Sequence, residues 1–269
     1  MNDLIDIGAN LSGGSFRHDL PRVIERAQSA GVVQMLVTGT SLEHSETALM
    51  LSEQWPGTLF STAGVHPHHA NEWTDKVATA IHDLSEHVAV RAIGECGLDY
   101  NRNFSEPADQ RRCFEAQLEL AADTGLPVFL HQRDAHADFL RIISRWRDKL
   151  SGGVAHCFTG TVDEAKACLD IDLHIGITGW LCDERRGEAL QQAVKYIPLE
   201  RLMIETDAPY LMPRNLPDDL SKLLADKRRN EPLVLPHVCA ELARLKQLDV
   251  SEVAQQTTQL AREFFAIQA

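Results

Sequence analysis

Four side chains able to bind a cation follow four separate apolar runs of this sequence. They are Glu95 in "AIGECGLDY", His131 in "PVFLHQRDAH", His156 in "GVAHCFTG" and Asp207 in "LMIETDAPYL". Carboxylate and imidazole without thiolate suit Zn²⁺, Mn²⁺ or, with waters completing the shell, Mg²⁺. Such an ion makes a nucleophile of its bound water and polarises the bond under attack. A carboxylate that takes the water's proton completes the chemistry, and Asp207 fits that role. The reaction class is metal-assisted hydrolysis, with the substrate open. Taken singly, each residue has a plainer use. A His after an apolar run is commonly a hydrogen-bonded core or loop residue. An Asp at a strand end, Asp134 among them, can cap the next helix. Their joint arrival is the signal. His66, His68 and His69 in "AGVHPHH" extend the set, and Asp99 reads as a loop or supporting group. Cys96 and Cys157 adjoin two of the four, but alternation along a strand turns neighbours to opposite faces, which places both thiols under the helices.

What brings such residues together is the architecture. β-rich apolar runs at 4–9, 33–38, 59–65, 90–95, 127–131, 153–156, 173–178 and 201–206 alternate with amphipathic stretches. The helical stretches include 19–30, 41–54, 107–124, 135–150 and 162–169, with Gly31 and Gly125 where helix C-caps are expected. Eight βα units predict an α/β fold, a (β/α)₈ TIM-like barrel, with its catalytic groups at the C-terminal ends of the strands. An open doubly wound sheet is the alternative, but no G-x-G-x-x-G follows the first strand. Stretches 235–245 and 250–266 supply closing helices, and 211–230 reads as a long loop. No linker or repeat interrupts the chain, so residues 1–269 read as one domain.

The composition, 44% hydrophobic and 24% charged, is that of a soluble globular protein. No apolar run suggests a membrane span, and the N-terminal residues do not read as a signal peptide. Six cysteines without a C-x-x-C pair point to reduced thiols and a cytoplasmic location. A net charge of −13 argues against broad, non-specific nucleic-acid binding. Local basic clusters at Arg185–Arg186 and Lys227–Arg229 remain compatible with a phosphate-bearing substrate.

The stretches "GVHPHH" at 64–69, "IGECGLDY" at 93–100, "PVFLHQRDAHAD" at 127–138, "AHCFTG" at 155–160, "IPLERLMIETDAPYL" at 197–211 and "RRNEP" at 228–232 together resemble the TatD family of metal-dependent hydrolases. The resemblance spans essentially the whole chain. It implies an amidohydrolase-like barrel and metal-dependent nuclease activity. By the same resemblance Glu95, His131, His156 and Asp207 are the metal ligands, and His66 and His68 lie at the phosphate.

The chain departs from the family at the first strand. Most members read D-x-H-x-H there, with the two His on the first of two metals; here the residues are Asp6-Ile7-Gly8-Ala9-Asn10. Gly8 has no side chain to offer and Asn10 only a neutral carbonyl oxygen, which leaves Asn10 as a substrate-binding residue. One firm site and one weak or substrate-supplied site follow, with Mg²⁺ favoured over a tight Zn²⁺ pair and Mn²⁺ or Zn²⁺ as alternatives. The Gly/Asn branch resembles 3′→5′ exonucleases acting on single-stranded DNA and RNA, associated with repair of oxidised DNA, and a monomer is expected. Arg133, Arg228 and Arg229 either clamp phosphates or are solvated helix-end charges. His68, His69 and Trp73 are candidates to stack on a base, Trp73 having a packed helix position as its alternative. Hydrolysis of a small amide or ester, or of an aminoacyl-RNA ester, is the rival reading, favoured by a closed apolar pocket. A catalytically silent scaffold is a third, against which the intact ligand set argues.

Overall fold

The apolar, β-branched runs form eight strands in the computed structural model, which describes residues 2–268. They are β1 (Leu4–Ala9), β2 (Val32–Val37), β3 (Leu59–Ala63), β4 (Val90–Asp99), β5 (Val128–Arg133), β6 (Gly153–Ala155), β7 (His174–Ile177) and β8 (Leu202–Ile204). Between and after them come α1 (Leu20–Ser29), α2 (Leu42–Gln54), α3 (Asp75–Ser85), α4 (Pro107–Thr124), α5 (His136–Trp146), α6 (Val162–Asp170), α7 (Glu188–Tyr196), α8 (Asp218–Ser221), α9 (Leu235–Lys246) and α10 (Val250–Phe264). The strands follow one another in sequence order in a single eight-stranded sheet, and the β3–β4, β4–β5, β5–β6 and β7–β8 pairs run parallel. Every expected strand is present. The largest change of boundary is in β4, which runs on to Asp99, so that Asp99 ends a strand and is not a loop residue. The long loop after β8 carries the single turn of α8.

The chain divides into two compact units. One comprises Val37–His156 and Ala167–His174 and contains β3 to β6. Its helices start and stop where side chains satisfy their ends. The Ser41 hydroxyl accepts the His44 N–H ahead of α2, Thr74 accepts that of Val77 ahead of α3, and Pro107 opens α4 where no N–H is needed. Gly125 closes α4 in the left-handed region at φ 72°. Phe114 of α4 and Phe139 of α5 stack at 5.9 Å, both fully buried.

Within this unit β4 holds one extra residue against β5, since Ile93 faces Val128 while Cys96 faces Leu130. A bulge of this kind re-aims the side chains beside it. It is built on glycine: Gly94 and Gly97 have φ of 139° and 146°, and a Cβ on Gly97 would stand 1.9 Å from the His131 carbonyl oxygen. β4 therefore lies closer to β5 around Glu95 than any other residue type would allow.

The second unit comprises the residues up to Leu36, Cys157–Lys166 and those from Ile175 onward, with β1, β7 and β8. β1 is buried along its whole length, and α10 lies against β1 and β8. α1 rests beside the 3-10 turn Pro232–Val234. Glu231, fully buried, is held there by Arg26 and Arg229, each at 2.8 Å. A buried carboxylate is tolerable only with such partners.

Candidate functional site

Glu95 sits at the hub of the first unit's polar cluster. Its Oε1 faces three ring nitrogens: His131 Nδ1 at 2.8 Å, and His66 Nε2 and His156 Nε2 at 3.4 Å each. β4 delivers Glu95, β5 delivers His131, His66 caps the 3-10 turn Pro67–Glu72 after β3, and His156 follows β6. Burial alone would raise the Glu95 carboxyl, but the imidazoles of His156, His66 and His131 hold it well below the ordinary carboxylate range. For His131, burial is outweighed by the Asp99 and Glu95 carboxylates, and the ring is pushed upward.

The donor set fits a divalent cation. The imidazoles of His131 and His156 and the Glu95 carboxylate converge at strand ends, and His131 Nε2 is buried without a hydrogen-bond partner among the described residues, 3.6 Å from Asp99 Oδ2. A buried ring that meets Glu95 through Nδ1 and leaves Nε2 unpartnered has a nitrogen free to ligate a cation. His66 differs from the other two rings. Its Nδ1 accepts the His68 backbone N–H at 3.1 Å, so the proton of the neutral ring sits on Nε2. Burial drives its pKa down to about 4 against the pull of Glu95, which keeps it neutral near pH 7. His66 thus points an N–H donor, not a lone pair, into the cluster.

Asp99 supports this arrangement. It lies 2.8 Å from His68 Nε2 and accepts the backbone N–H groups of Asn101 and Arg102. Burial opposes its ionisation, yet His131, His68 and the Arg102 N–H hold it far below the usual range. Asp134, an expected helix cap, accepts Asn101 Nδ2 instead, and the N-cap of α5 is Ala135.

In the other unit Asp207 follows β8 at φ 53°. Its backbone N–H bonds Gly8 O at 2.8 Å, and its Oδ1 accepts Asn10 Nδ2 at 2.9 Å. Asn10 N returns a bond to Ala208 O at 2.7 Å. One residue earlier, Thr206 is held through N and Oγ1 by the carboxylate of Asp6 at 2.9 and 2.5 Å. Gly8-Ala9-Asn10 is therefore the seat of the Asp207 loop, and the Asn10 amide, expected as a substrate contact, is spent on the Asp207 carboxylate. Cys96 is fully buried as expected, but Cys157 is not under the helices. β6 ends at Ala155 and Cys157 adopts φ 47°, so strand alternation no longer governs it; its Sγ lies within 4.8 Å of a ligand atom of Asp207.

The arginines separate clearly. Arg133, exposed at the end of β5 two residues beyond His131, has no hydrogen bond or ion pair to its guanidinium among the described residues. Arg228 is 92% exposed. Arg229 is not available as a phosphate clamp: it grips Asp19 at 2.6 and 2.8 Å and Glu231 at 2.8 Å, over the Phe16 ring. Asn230, which was not singled out in the sequence, bonds Thr206 O at 3.0 Å and Tyr210 O at 2.7 Å. "RRNEP" therefore braces the segment around Asp207. His69, with its ring exposed, lies 3.0 Å from Glu72, whereas Trp73 packs on the Ala63–Ile81–Val90 cluster, the alternative its sequence position allowed.

Eight strands in sequence order with a carboxylate–imidazole cluster at their ends define a (β/α)₈ barrel of the metal-dependent hydrolase class. Solved structures agree. A TatD family hydrolase from Entamoeba histolytica superposes with a TM-score of 0.89 at 26% identity, covering 99% of each chain. The TatD homologue YJJV of Escherichia coli gives 0.88 at 26%, covering 98% of each. A phosphotriesterase homology protein, 14% identical with a TM-score of 0.66, shares the fold alone. The chain belongs to the TatD related DNase family, whose profile matches residues 5–266. It is 49% identical over 264 residues to a protein of Edwardsiella piscicida and 50% over 265 to one of Musicola paradisiaca, each named 3'-5' ssDNA/RNA exonuclease TatD. The matches cover 98% of this chain and 100% and 98% of those proteins.

Proposed function

We propose that this chain is a metal-dependent exonuclease that removes nucleotides from the 3′ end of single-stranded DNA and RNA. The reading is carried by the Glu95 hub with His131 and His156, present in a chain half identical, end to end, to proteins of that name. In this proposal Glu95, His131, His156 and Asp207 hold the ion. Mg²⁺ is the metal proposed, because the first strand supplies no imidazole for a second, tighter site. When bound, the ion lowers the pKa of its water and withdraws charge from the phosphate.

The remaining work falls to the chain. Asp207, its Oδ1 engaged by Asn10, takes the proton of the attacking water through the carboxylate. His66 gives its Nε2 proton as a hydrogen bond to a phosphate oxygen and stays neutral while doing so. Arg133 and the exposed Arg228 meet phosphate oxygens, and His68 is held in place by Asp99. Residues 1–269 act as one hydrolase domain, monomeric and cytoplasmic; no helix among the described residues is long and apolar enough to cross a membrane. A part in repair of oxidised DNA belongs to the same proposal.

The test is digestion of 5′-labelled single strands of DNA and RNA, and of duplex, by metal-stripped protein resupplied with Mg²⁺, Mn²⁺ or Zn²⁺. A ladder shortening by single nucleotides from the 3′ end of the single strands supports the reading. No degradation with any metal, or internal cuts only, overturns it.

A further inference from the structure

Four rings touch edge to face in a row that leaves the buried cluster. His131 and His66 have centroids 4.4 Å apart, His66 and His68 4.2 Å, and His68 and Phe104 4.8 Å with planes at 83°. The row ends in solvent, since Phe104 is 65% exposed. A lone exposed Phe is ordinary on a protein surface. This one is held in place. The turn before it is tied to Asp99 through Asn101 and Arg102, Asn103 Nδ2 bonds Tyr100 O at 2.7 Å, and Ser105 Oγ bonds His68 O at 3.1 Å. Its neighbour His68 is fixed in turn by Asp99 Oδ2.

An exposed aromatic on a braced turn, edge to face with His68 beside a polar site, offers an open face to a flat, apolar partner. Arg133, whose guanidinium has no partner among the described residues, pairs in register with Asp99 on the neighbouring strand. A cation for the backbone and an aromatic platform for a base are the two parts of single-strand recognition.

We propose that Phe104 is the platform on which the base of the strand's 3′-terminal nucleotide stacks, with Arg133 on a phosphate of the same strand. This rests on the exonuclease reading and gives it a physical basis for substrate choice. Every base has a π-face, so all four are accepted. A ring that touches only the base does not sense the 2′-hydroxyl, so DNA and RNA are both admitted. In a duplex the terminal base is paired and stacked on its neighbour and must be freed before it can lie on Phe104. Phe104 acts as a binding residue and leaves the chemical step to the Glu95 cluster.

The test uses a single strand carrying the fluorescent base 2-aminopurine at its 3′ end, titrated with protein in EDTA so that no cleavage occurs. A matching strand ends in an abasic nucleotide. Wild type and Phe104→Trp should quench the terminal 2-aminopurine, and Phe104→Ala should leave it bright and bind about 5- to 100-fold more weakly. On the abasic strand wild type and Phe104→Ala should bind alike, a result that a purely structural role for Phe104 does not give. An unquenched wild-type complex, or an equal loss of affinity on both strands, overturns the proposal. Digestion in Mg²⁺ separates the two claims. Quenching without any degradation leaves Phe104 as the base platform and removes the exonuclease; degradation with Phe104→Ala indistinguishable from wild type in binding and quenching does the reverse.

Discussion

Asn10 Nδ2 donates to Asp207 Oδ1 at 2.9 Å, across 197 residues of chain, while Asp207 N and Asn10 N exchange backbone bonds with Gly8 O and Ala208 O. A strand whose sequence looked empty of chemistry thus sets the position of a carboxylate. Hydrogen bonds to charged groups contribute about 1.5–3 kcal/mol. Asn10→Ala is therefore expected to lower kcat by about 10-fold or more and to weaken cation binding. Affinity for a single strand in EDTA should be unchanged. Steady-state kinetics with calorimetric metal titration measures the split, and wild-type values for both would remove Asn10 from this role.

Two arginines read alike in the sequence should behave differently. Arg229→Ala breaks the pairs with Asp19 and the buried Glu231 and should cost about 3 kcal/mol of stability. Its effect on KM should be slight at a temperature where the variant is folded. Arg133→Ala should leave the melting temperature alone, raise KM, and flatten the dependence of log affinity on log salt by about 0.7 if one phosphate contact is lost. Denaturation and a salt series on both variants check this. Swapped phenotypes would contradict the assignment.

Asp6 predicts a pH dependence of stability. Burial raises its carboxyl from 3.8 to about 7, against the hydrogen bonds from Thr206 and Gly8. The native state then keeps a proton that the unfolded chain has released, and stability falls as pH rises from about 4 to 7. Asp6→Asn reproduces the protonated group. It should lose this component of the slope, so its stability relative to wild type should grow across that window. Urea unfolding at four or five pH values reads it, and parallel curves for the two proteins would show that Asp6 ionises normally.

All eight strands were legible because each is a short apolar run bounded by polar helix starts, a signal carried within a few residues. The carboxylate and imidazoles at their ends, Glu95, His131 and His156, were legible for the same reason. Features made by distant pairs were not. Arg229 looked like a phosphate clamp because its partner Asp19 lies 210 residues away. Phe104, in a polar loop, carries no periodic signal, and only its ring contact with His68 marks it. Cys157 followed the strand pattern on paper, and a left-handed φ one residue beyond His156 turned it the other way. The donor role of His66 rests on a backbone N–H that no residue type announces.

The central claim is that Glu95 is the hub of a single catalytic metal centre, and Glu95→Gln tests it most directly. The substitution keeps size and hydrogen-bonding reach while removing the charge that three imidazoles surround. Mn²⁺ binding, followed by the loss of its free-ion resonance signal, and 3′ degradation of a single strand should be measured on the same preparations. Both should fall together, with activity lower by about 100-fold or more and circular dichroism unchanged. A folded Glu95→Gln protein that degrades the strand at the wild-type rate would contradict the account.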